Sequence, residues 1–377
     1  MDGTAYTQQQ YEQTMIKIRD LIKTSPSFIG EFVRGIENTT SILTRLNYVL
    51  DLRLFLTFLC EERLPDKSDI KDITIDDIDL LTSTDIELYL EYLSLYSKND
   101  KNLRNNECAK ARKLSAIRSM YKYFFKKQKI THNPSALIDT PKIHKKAIIR
   151  LEADEVERIL QIAESGENLS TRQKKFHELT KTRDVALLTL LLGTGIRVSE
   201  LVGLDVDDID FMTNDFLVTR KGGNQEILAF GDEVRMTLLN YMLIRETILP
   251  AQGHEGALFL SLQNKRINVR TVEKLVKKYA AIAAPLKKIS PHKLRSTYGT
   301  MLYQETGDIY LVAEVLGHKD VNTTKKHYAA MSMDRKRMAA EVIKLSSKSQ
   351  DYLLDDEDIS IPYPTHETEQ TTDERSS

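Results

Sequence analysis

A stretch near the end of the chain, LGHKDVNTTKKHYAAM at residues 316–331, places a tyrosine and two histidines among lysines and threonines. A tyrosine can attack a phosphodiester once its hydroxyl, of pKa about 10, has lost its proton, and the departing oxygen must then gain one. The same residue types are equally compatible with Tyr328 packing a helix. The distinction depends on whether distant parts of the chain supply the other groups that such an attack requires.

The attack passes through a transition state that carries more negative charge than the diester itself. Two planar guanidinium groups suit this charge, because each can grip two oxygen atoms. A lysine or histidine must serve as the acid and a histidine as the base. The chain contains such residues in separate motifs, namely Arg197 in TGIRVSEL, Lys221 in KGGN, His292 and Arg295 in SPHKLRSTYG, and His318 in LGHKD. Each taken singly is explained as well by a surface, capping or loop position, so only their combination indicates this chemistry.

Local patterns predict how these candidates are positioned. His292 and Arg295 are three residues apart and therefore share one face of a helix. Arg197 follows an apolar helix that Gly193 and Gly195 interrupt, and the resulting turn is expected to expose its side chain. The two arginines thus lie on different elements, which the fold must bring together.

A β-hairpin is predicted for DFLVTRKGGNQEILAF, because two arms rich in β-forming residues flank a Lys-Gly-Gly-Asn turn. Lys221 lies at this turn, where a flexible ammonium group can reach a bound backbone. Arg220 is the next candidate for the same role if the register of the hairpin is shifted by one residue. Helical patterns return over residues 232–345.

Helical patterns also dominate the region before residue 130, although residues 1–37 show them only weakly. One apolar stripe comprises Leu43, Leu46, Leu50, Leu54 and Phe58. Thr39 or Thr40 is the expected cap of that helix, and Ser83 or Thr84 before Asp85 marks the start of another. These signals predict an all-helical unit of four or five helices.

A basic helix is predicted at NECAKARKLSAIRSMYKYFFKKQ. Its inward face consists of Leu114, Ile117, Tyr121 and Phe124, and its outward, DNA-binding face of Lys110, Lys113, Arg118 and Lys122. Tyr121 and Phe125 have the spacing of core residues, which is favoured over stacking on bases. Residues 101–150 carry fourteen Lys and Arg against only Glu107 and Asp139. A solvated helix face is the ordinary explanation of such charge, but an excess this one-sided indicates contact with nucleic-acid phosphates.

The motifs TGIRVSEL, KGGN after a strand, SPHKLRSTYGTMLYQETGD and LGHKDVNTTKKHYA follow the order typical of the tyrosine recombinase family, which includes phage integrases and Xer-type site-specific recombinases. The chain resembles this family over roughly residues 40–346, with the motifs concentrated in residues 183–330. Four separated motifs in one order make the resemblance highly specific. It implies that the protein cuts and rejoins double-stranded DNA at a specific recombination site, through a 3′-phosphotyrosyl intermediate and a Holliday junction.

The resemblance also implies a role for each candidate. Arg197 and Arg295 are similar to the two arginines that clamp the scissile phosphate. Lys221 is similar to the hairpin lysine that protonates the departing 5′-hydroxyl. His292 corresponds to the histidine of the family's His-x-x-Arg motif, which assists proton transfer and contacts the phosphate.

His318 is similar to the second histidine of the family, which hydrogen-bonds the phosphate, and Tyr328 to the nucleophile. The sequence departs here from the commonest family pattern, because the tyrosine usually falls nine residues after that histidine and the ninth residue is His327. One extra residue in NTTKKH must therefore be accommodated. Tyr303 and Tyr310 precede the histidine, so Tyr328 remains the expected nucleophile and His327 a solvent-exposed neighbour.

The expected fold is mainly α with a small antiparallel β-sheet. Its parts are an N-terminal extension (1–37), a helical, SAM-like core-binding domain (38–130), a basic linker (131–150), a mixed α/β tyrosine recombinase catalytic domain (151–346) and an acidic disordered tail (347–377). The linker contains two prolines and ends in a group of bases that includes Lys145 and Lys146, both expected to contact DNA. The tail carries nine acids and two bases, which favours disorder.

Composition weighs against several classes of protein. No apolar run is long enough to span a bilayer and no signal peptide is evident, so a membrane role is not expected. Cys60 and Cys108 form no CxxC motif, which indicates reduced thiols and a cytoplasmic protein. The acidic run DVDDID at residues 205–210 is a candidate metal site, but turn and cap chemistry explains it adequately. No metal, ATP or other cofactor is expected, because a phosphotyrosyl bond retains the energy of the cut diester.

Three rival functions are compatible with parts of the sequence: a type IB topoisomerase, a catalytically inactive DNA-binding accessory protein of the same fold, and a metal-dependent nuclease. The small helical domain and LGHKD favour a recombinase, for which all six roles are filled. Chromosome-dimer resolution, integration or excision of a mobile element, and inversion all stay open. The resemblance further implies a tetramer on two DNA sites. The segment DRKRMAAEVIKL, with Met338, Val342 and Leu345 on one face, is predicted to dock onto a neighbouring protomer.

Overall fold

The computed structural model describes residues 5–98, 101–143, 149–220, 223–317 and 321. Within these ranges the chain is mostly helical and contains one two-stranded and one three-stranded antiparallel sheet, which confirms the predicted fold class. Buried hydrophobic side chains form two separate clusters, one drawn from residues 18–138 and the other from residues 151–294. Among the helices described, none has both the length and the apolar character needed to cross a membrane.

The first cluster is built largely by α1 (Ala5–Lys23), α2 (Ser27–Gly35), α3 (Ile42–Glu62), α4 (Ile75–Asp79), α5 (Ser83–Tyr92) and α6 (Glu107–Lys126). Fully buried aromatic rings fill its centre, including Phe32, Phe55, Tyr89 and Phe124. Because Phe32 belongs to α2, this core includes residues that precede the boundary expected at residue 38. The helix α2 buries its apolar face within nine residues, which is too short a span for periodicity to reveal it.

A short exposed hairpin joins α5 to α6. Its strands β1 (Tyr96–Lys98) and β2 (Lys101–Leu103) pair antiparallel, and Tyr96 stacks on Tyr92 with 5.4 Å between ring centroids. The prediction of an all-helical unit is therefore wrong, whereas the predicted number of helices agrees with the four α-helices, α3 to α6, in the described part of residues 38–130. Three-residue strands are too short for alternation to be read from the sequence.

The helix α3 buries only part of the predicted face, because Phe58 is buried in the first cluster but other residues of the stripe are not. Leu43 and Leu50 are 59% and 42% exposed, whereas Val49 and Leu52 are fully buried. Apolar residues occur on almost every side of α3, so its packing against α1, α2 and α6 selects the inward face and periodicity does not. Its cap is Ser41, not either of the two threonines before it.

The second cluster is built largely by α7 (Ala153–Ser165), α8 (Thr171–Thr194), α9 (Val198–Gly203), α10 (Asp232–Arg245), α11 (Val269–Ala283) and α12 (Pro291–Thr306). The last described helix, α13 (Ile309–Val315), packs against α12. The central element is α8, which packs against α7, α10 and α12. Its buried residues include Leu187, Leu188, Leu190 and Leu191. The apolar helix predicted before Arg197 is therefore confirmed.

The predicted hairpin forms part of a three-stranded antiparallel sheet of order β3-β4-β5. The strands are β3 (Ile209–Asp210), β4 (Asp215–Thr219) and β5 (Gln225–Ala229). Thr219 pairs with Gln225, so the turn of the hairpin comprises residues 220–224. Phe216 and Val218 of β4 are buried in the second cluster, which fixes the sheet against the helices. The two-residue strand β3 carries no readable sequence signal.

Gly195 ends α8 and turns the chain toward α9. Its φ of +62° is left-handed, and a Cβ at this position would lie 2.4 Å from Cδ1 of Tyr298, so glycine is required on both counts. Gly193 lies within α8 and does not interrupt it, contrary to the prediction. The turn places Arg197 directly before α9.

Candidate active site

Arg197 occupies the N-terminal cap position of α9. Its side chain is 34% exposed, so it remains accessible to a bound substrate. Its Nη2 donates to the carbonyl oxygens of Leu316 at 3.4 Å and Gly317 at 3.2 Å. The turn at residues 316–317 thus receives the outer nitrogen of this guanidinium.

Arg295 reaches the same turn from α12. Its side chain is buried, and its two Nη groups donate to the carbonyl oxygens of Gly195 and Leu316. The helix α12 therefore binds both the turn before Arg197 and the turn at residues 316–317. The structure brings together the two arginines that the sequence places on separate motifs.

Glu200 is the counterion of Arg197, and it was not singled out from the sequence. Its buried carboxylate accepts hydrogen bonds from Nη1 of Arg197 at 2.8 Å and from the Arg197 amide at 3.0 Å. A buried carboxylate is costly unless it is paired, so this contact fixes the guanidinium at the start of α9. The available signal was the Arg-x-x-Glu spacing in TGIRVSEL, which is the spacing of a capping box.

Arg220 directly follows β4, is buried, and binds acidic groups. Its Nη1 donates to Glu200 at 3.1 Å, and its Nε and Nη2 donate to Glu226 at 2.7 and 3.2 Å. Burial by itself would lower the pKa of Arg220, but the hydrogen bonds and negative charges of Glu226 and Glu200 raise it above its ordinary value. A guanidinium held in this way does not donate a proton to a leaving group. These contacts favour Lys221 over Arg220 as the acid.

His292 lies in the first turn of α12 and is exposed, whereas Arg295, three residues later, is buried. The pair thus presents one accessible and one enclosed group on the same helix. The remaining predicted site residues lie outside the described part of the chain, namely Lys221, His318, Tyr328 and the neighbouring His327. The described residues that flank them, Arg220 and Gly317, contact each other within the same group of arginines, acids and carbonyl oxygens.

Lys113 does not lie on the outer face of α6, and this prediction is wrong. Its side chain is buried and its Nζ lies 3.0 Å from Oδ1 of Asp51, which is also buried. Arg112, one residue earlier, is exposed and reaches the other oxygen of the same carboxylate. A buried acid on α3 therefore draws the lysine inward, and no pattern within α6 could indicate that.

The other basic residues of α6 differ in their exposure and in their hydrogen-bond partners. Lys122 is exposed, and Lys110 is half-buried with its Nζ 2.8 Å from Oγ of Ser94. Arg118 donates to the carbonyl oxygens of Ser135 and Ile138 and to Oγ1 of Thr140. Arg118 therefore holds the start of the linker against α6. Lys145 and Lys146 of the linker lie outside the described residues.

The two aromatic residues of α6 that were considered for base stacking have different environments. Tyr121 is fully buried and its hydroxyl donates to the Ile78 carbonyl at 3.0 Å, so its assignment to the core is confirmed. Phe125 is 49% exposed, and its assignment to the core is wrong. It lies in the last turn of α6, at the edge of the cluster.

The acidic run at residues 205–210 has the local role that its pattern predicts. Asp208 accepts a hydrogen bond from the Asp205 amide at 2.8 Å, and Asp210 accepts from the Met212 amide at 2.7 Å. Asp205 is also paired with Arg266. Within the described ranges, no group of three or more His, Cys, Asp or Glu side chains is arranged to hold a metal ion.

Comparison with known proteins gives a consistent result. The model of the Phage integrase family matches residues 149–335. The tyrosine recombinase XerC of Caldanaerobacter subterraneus subsp. tengcongensis is 35% identical over 290 residues, which cover 74% of this chain and 75% of that protein. The tyrosine recombinase XerD of Oceanobacillus iheyensis is 32% identical over 291 residues, covering 77% and 88%. The crystal structure of the XerH site-specific recombinase bound to a palindromic difH substrate has the same fold, with a TM-score of 0.60 at 19% identity and coverage of 88% and 89%.

Proposed function

The chain belongs to the phage integrase family of tyrosine recombinases, and from this we propose how its residues divide the work of cutting DNA. The protein is a site-specific recombinase, an enzyme that breaks and rejoins DNA strands. Breaking a strand requires a nucleophile, a clamp on the phosphate and an acid for the departing oxygen, and rejoining requires the same groups in reverse.

The convergence of Arg197 and Arg295 on the turn at residues 316–317 is the observation that carries the assignment. His318 follows this turn directly in the sequence. Two guanidinium groups beside one turn can hold both non-bridging oxygens of a phosphodiester. We assign them the stabilisation of the pentacoordinate transition state, which carries more negative charge than the substrate.

Tyr328 is the proposed nucleophile. Its phenolate oxygen forms a bond to the scissile phosphorus, while the bond from phosphorus to the 5′-oxygen breaks. The 3′-phosphate is then joined to the tyrosine, and the released 5′-oxygen takes a proton from Lys221. Attack by a 5′-hydroxyl on the phosphotyrosine reverses the step and rejoins a strand without ATP, because the new diester replaces an ester of similar energy.

The two histidines are proposed to act on either side of the phosphate. His292 is exposed one helical turn from Arg295, which supports a role in proton transfer and phosphate contact. His318 follows Gly317, whose carbonyl oxygen accepts a hydrogen bond from Arg197, and we assign it a hydrogen bond to the phosphate.

The exposed side of α6 and the linker after it are the proposed DNA-binding surface. Lys122 and Arg112 are exposed on α6, and Lys110 lies half-buried nearby. Lys145 and Lys146 extend this charge along the linker in sequence. We assign these residues contacts to phosphates, which position the duplex without reading its sequence.

We further propose that four protomers act on two DNA sites and that the protein works in the cytoplasm. The amphipathic segment DRKRMAAEVIKL supports the first part, because its apolar face needs a partner. Both cysteines, Cys60 and Cys108, are free thiols, which is compatible with a reducing compartment.

The test is covalent trapping. Purified protein is incubated with nicked suicide DNA carrying its recombination site, and the products are separated under denaturing conditions. Wild-type protein is expected to form a covalent complex in excess EDTA. Tyr328→Phe is expected to bind the same DNA and form none. Tyr310→Phe, which alters an exposed tyrosine of α13, serves as the matched control and should keep the complex.

Each rival function predicts a different result, in this experiment or in a relaxation assay. A complex that survives in Tyr328→Phe refutes the nucleophile assignment. Binding by the wild type without any complex indicates an accessory protein, and cleavage that EDTA abolishes indicates a metal-dependent nuclease. Relaxation of supercoiled DNA that lacks any recombination site indicates a topoisomerase.

A further inference from the structure

Arg220 closes the turn of the β4–β5 hairpin through its backbone. Its amide donates to the Asn224 carbonyl at 2.7 Å, and its own carbonyl oxygen accepts from the Gly223 amide at 3.0 Å. Each of these bonds joins residues that lie on either side of Lys221 in the sequence. The conformation of Arg220 therefore constrains how the chain enters and leaves the turn.

The side chain of Arg220 binds three separate parts of the catalytic unit. Its Nε and Nη2 hold Glu226 of β5, its Nη1 holds Glu200 of α9, and its Nη2 also donates to the carbonyl oxygen of Val315 at 3.1 Å. The side chain is only 8% exposed. One guanidinium thus joins the hairpin, the helix α9 that follows Arg197, and the end of α13.

The turn at Gly317 packs directly on this guanidinium. A Cβ at residue 317 would lie 3.0 Å from Cζ of Arg220, and the φ of Gly317 is +56°. The turn that receives Arg197 and Arg295 is therefore in contact with Arg220 as well. A lysine could not replace these contacts, because a single ammonium lacks the planar fork that reaches several acceptors at once.

Arg220 also affects how strongly Glu200 holds the guanidinium of Arg197, which a bound phosphate would share. The carboxylate of Glu200 is shared between the two arginines, with one oxygen on each guanidinium. Without Arg220, this buried charge would be neutralised by Arg197 alone. The hold of Glu200 on Arg197 would then be stronger, and less of that guanidinium would be available to a phosphate.

We infer that Arg220 is a positioning residue that ties the β4–β5 hairpin, the element that carries Lys221 in sequence, to the Arg197–Glu200 pair and to residues 315–317. This inference rests on the proposed function, in which the hairpin protonates the leaving oxygen and the arginines clamp the phosphate. In this proposal Arg220 itself contacts neither the leaving oxygen nor the phosphate of the substrate. It holds the acid, which serves the departing oxygen, at a fixed separation from the arginines, which serve the phosphate.

The experiment compares two suicide substrates that differ at one atom. In the first the scissile 5′-bridging atom is oxygen, and in the second it is sulfur, which leaves as a thiolate and does not need an acid. Single-turnover cleavage is measured with protein in excess for wild type, Arg220→Met and Arg220→Lys. We expect Arg220→Met to slow cleavage of the oxygen substrate about 10²-fold, as a misplacement of about 1 Å can do, and the sulfur substrate clearly less. Arg220→Lys should resemble Arg220→Met.

Controls separate positioning from folding. Glu226→Gln weakens the same anchor from the opposite strand and should give a smaller deficit that is again greater on oxygen than on sulfur. Arg172→Met, at an exposed arginine in the first turn of α8, should cleave both substrates at the wild-type rate. Thermal melting and DNA binding of every variant report the folded fraction. An equal loss on both substrates, or no loss, overturns the inference.

Lys221→Ala distinguishes a failure of the inference from a failure of the proposed function. If sulfur restores the rate of Lys221→Ala, the leaving-group role of Lys221 stands. If it does not, that role fails at Lys221. A deficit of Arg220→Met that is greater on oxygen supports positioning of the hairpin only if sulfur also restores Lys221→Ala; with Lys221→Ala unrestored, the same deficit assigns the acid to Arg220 and overturns the inference.

Discussion

Arg197 and Arg295 donate hydrogen bonds to one and the same acceptor, the backbone carbonyl oxygen of Leu316. Two cations that are close enough to share an acceptor repel each other unless acceptors lie between them. The carbonyl oxygens of Gly195, Leu316 and Gly317 provide those acceptors. The fold itself therefore brings the two guanidinium groups together, which is the preorganisation that stabilisation of a charged transition state requires.

Replacing either arginine with lysine tests the clamp. Arg197→Lys and Arg295→Lys keep the charge but lose the planar fork, so DNA binding should change little while cleavage falls. We expect a loss of about 10²–10³ in the single-turnover rate, the usual effect of removing one donor to a developing anion. Arg172→Lys is the control. Cleavage by both variants within a few-fold of wild type would show that the clamp lies elsewhere.

Gly195 is the backbone position on which the clamp depends. Gly195→Ala adds a Cβ that would lie 2.4 Å from Tyr298 and 3.0 Å from Leu316, at a φ of +62°. We expect the free energy of unfolding to fall by more than about 1 kcal/mol, and cleavage to fall further than the loss of folded protein explains. Urea unfolding and single-turnover cleavage measure the two effects.

Gly231 supplies the matched control for that substitution. No atom lies within 4 Å of a Cβ built at Gly231, so Gly231→Ala should leave cleavage nearly unchanged and lower stability by less than about 1 kcal/mol, the cost of alanine at the N-terminal cap of α10. If Gly195→Ala behaves like Gly231→Ala, the turn tolerates a side chain and does not position Arg197.

The sequence predicted the types of the site residues better than their surroundings. Arg197 and Arg295 could be chosen because the chemistry demands guanidinium groups, and motif order supported both. Glu200 and Arg220 could not be weighed in the same way. Their roles depend on contacts between α9, the hairpin and the end of α13, and such contacts between distant segments leave no periodicity in the chain.

Elements with strong local signals were predicted and those without were not. The β4–β5 hairpin and α8 carry clear turn and apolar patterns, and both are present. The predicted face of α3 was only partly right, because apolar residues on all sides of this helix leave the choice of the buried face to tertiary packing. The prediction that Lys113 lies on the outward face of α6 was wrong for a related reason, because its partner Asp51 lies on another helix. Local patterns define elements, and packing decides which side of them is buried.

Asp85 links the stability of the helical unit to pH. Burial raises the pKa of the Asp85 carboxyl. Hydrogen bonds from the amide and hydroxyl of Thr82 and from the Arg63 guanidinium lower it by more, so the pKa lies below its ordinary value. A carboxyl with a lowered pKa stabilises the fold above its unfolded pKa, and that stabilisation is lost as the pH falls through the folded pKa. Asp85→Asn should therefore cost about 1–3 kcal/mol at pH 7 and progressively less as the pH falls from about 4 through the lower pKa of the folded state.

Urea unfolding of Asp85→Asn and wild type between pH 3 and pH 7 checks this expectation. The two stability curves should converge as the pH falls. Asp66→Asn, at a side chain that is 72% exposed, should follow the wild-type curve throughout. Curves for Asp85→Asn and wild type that stay parallel over the whole range would show that the Asp85 carboxylate does not stabilise the fold through its charge.

The segment DRKRMAAEVIKL is expected to hold protomers together on DNA. Met338, Val342 and Leu345 recur at the four- and three-residue intervals of one helix face, and an apolar face of this kind is stable only against a partner. Deleting residues 334–377 should leave binding to a single recombination site intact and abolish the complex that contains two sites, as measured by sedimentation of fluorescent DNA. Deleting residues 347–377 alone removes the acidic tail and keeps the apolar face, so this variant should still pair two sites. Pairing by the longer deletion would show that the contact between protomers lies in another part of the chain, whereas loss of pairing in both deletions would assign it to the acidic tail.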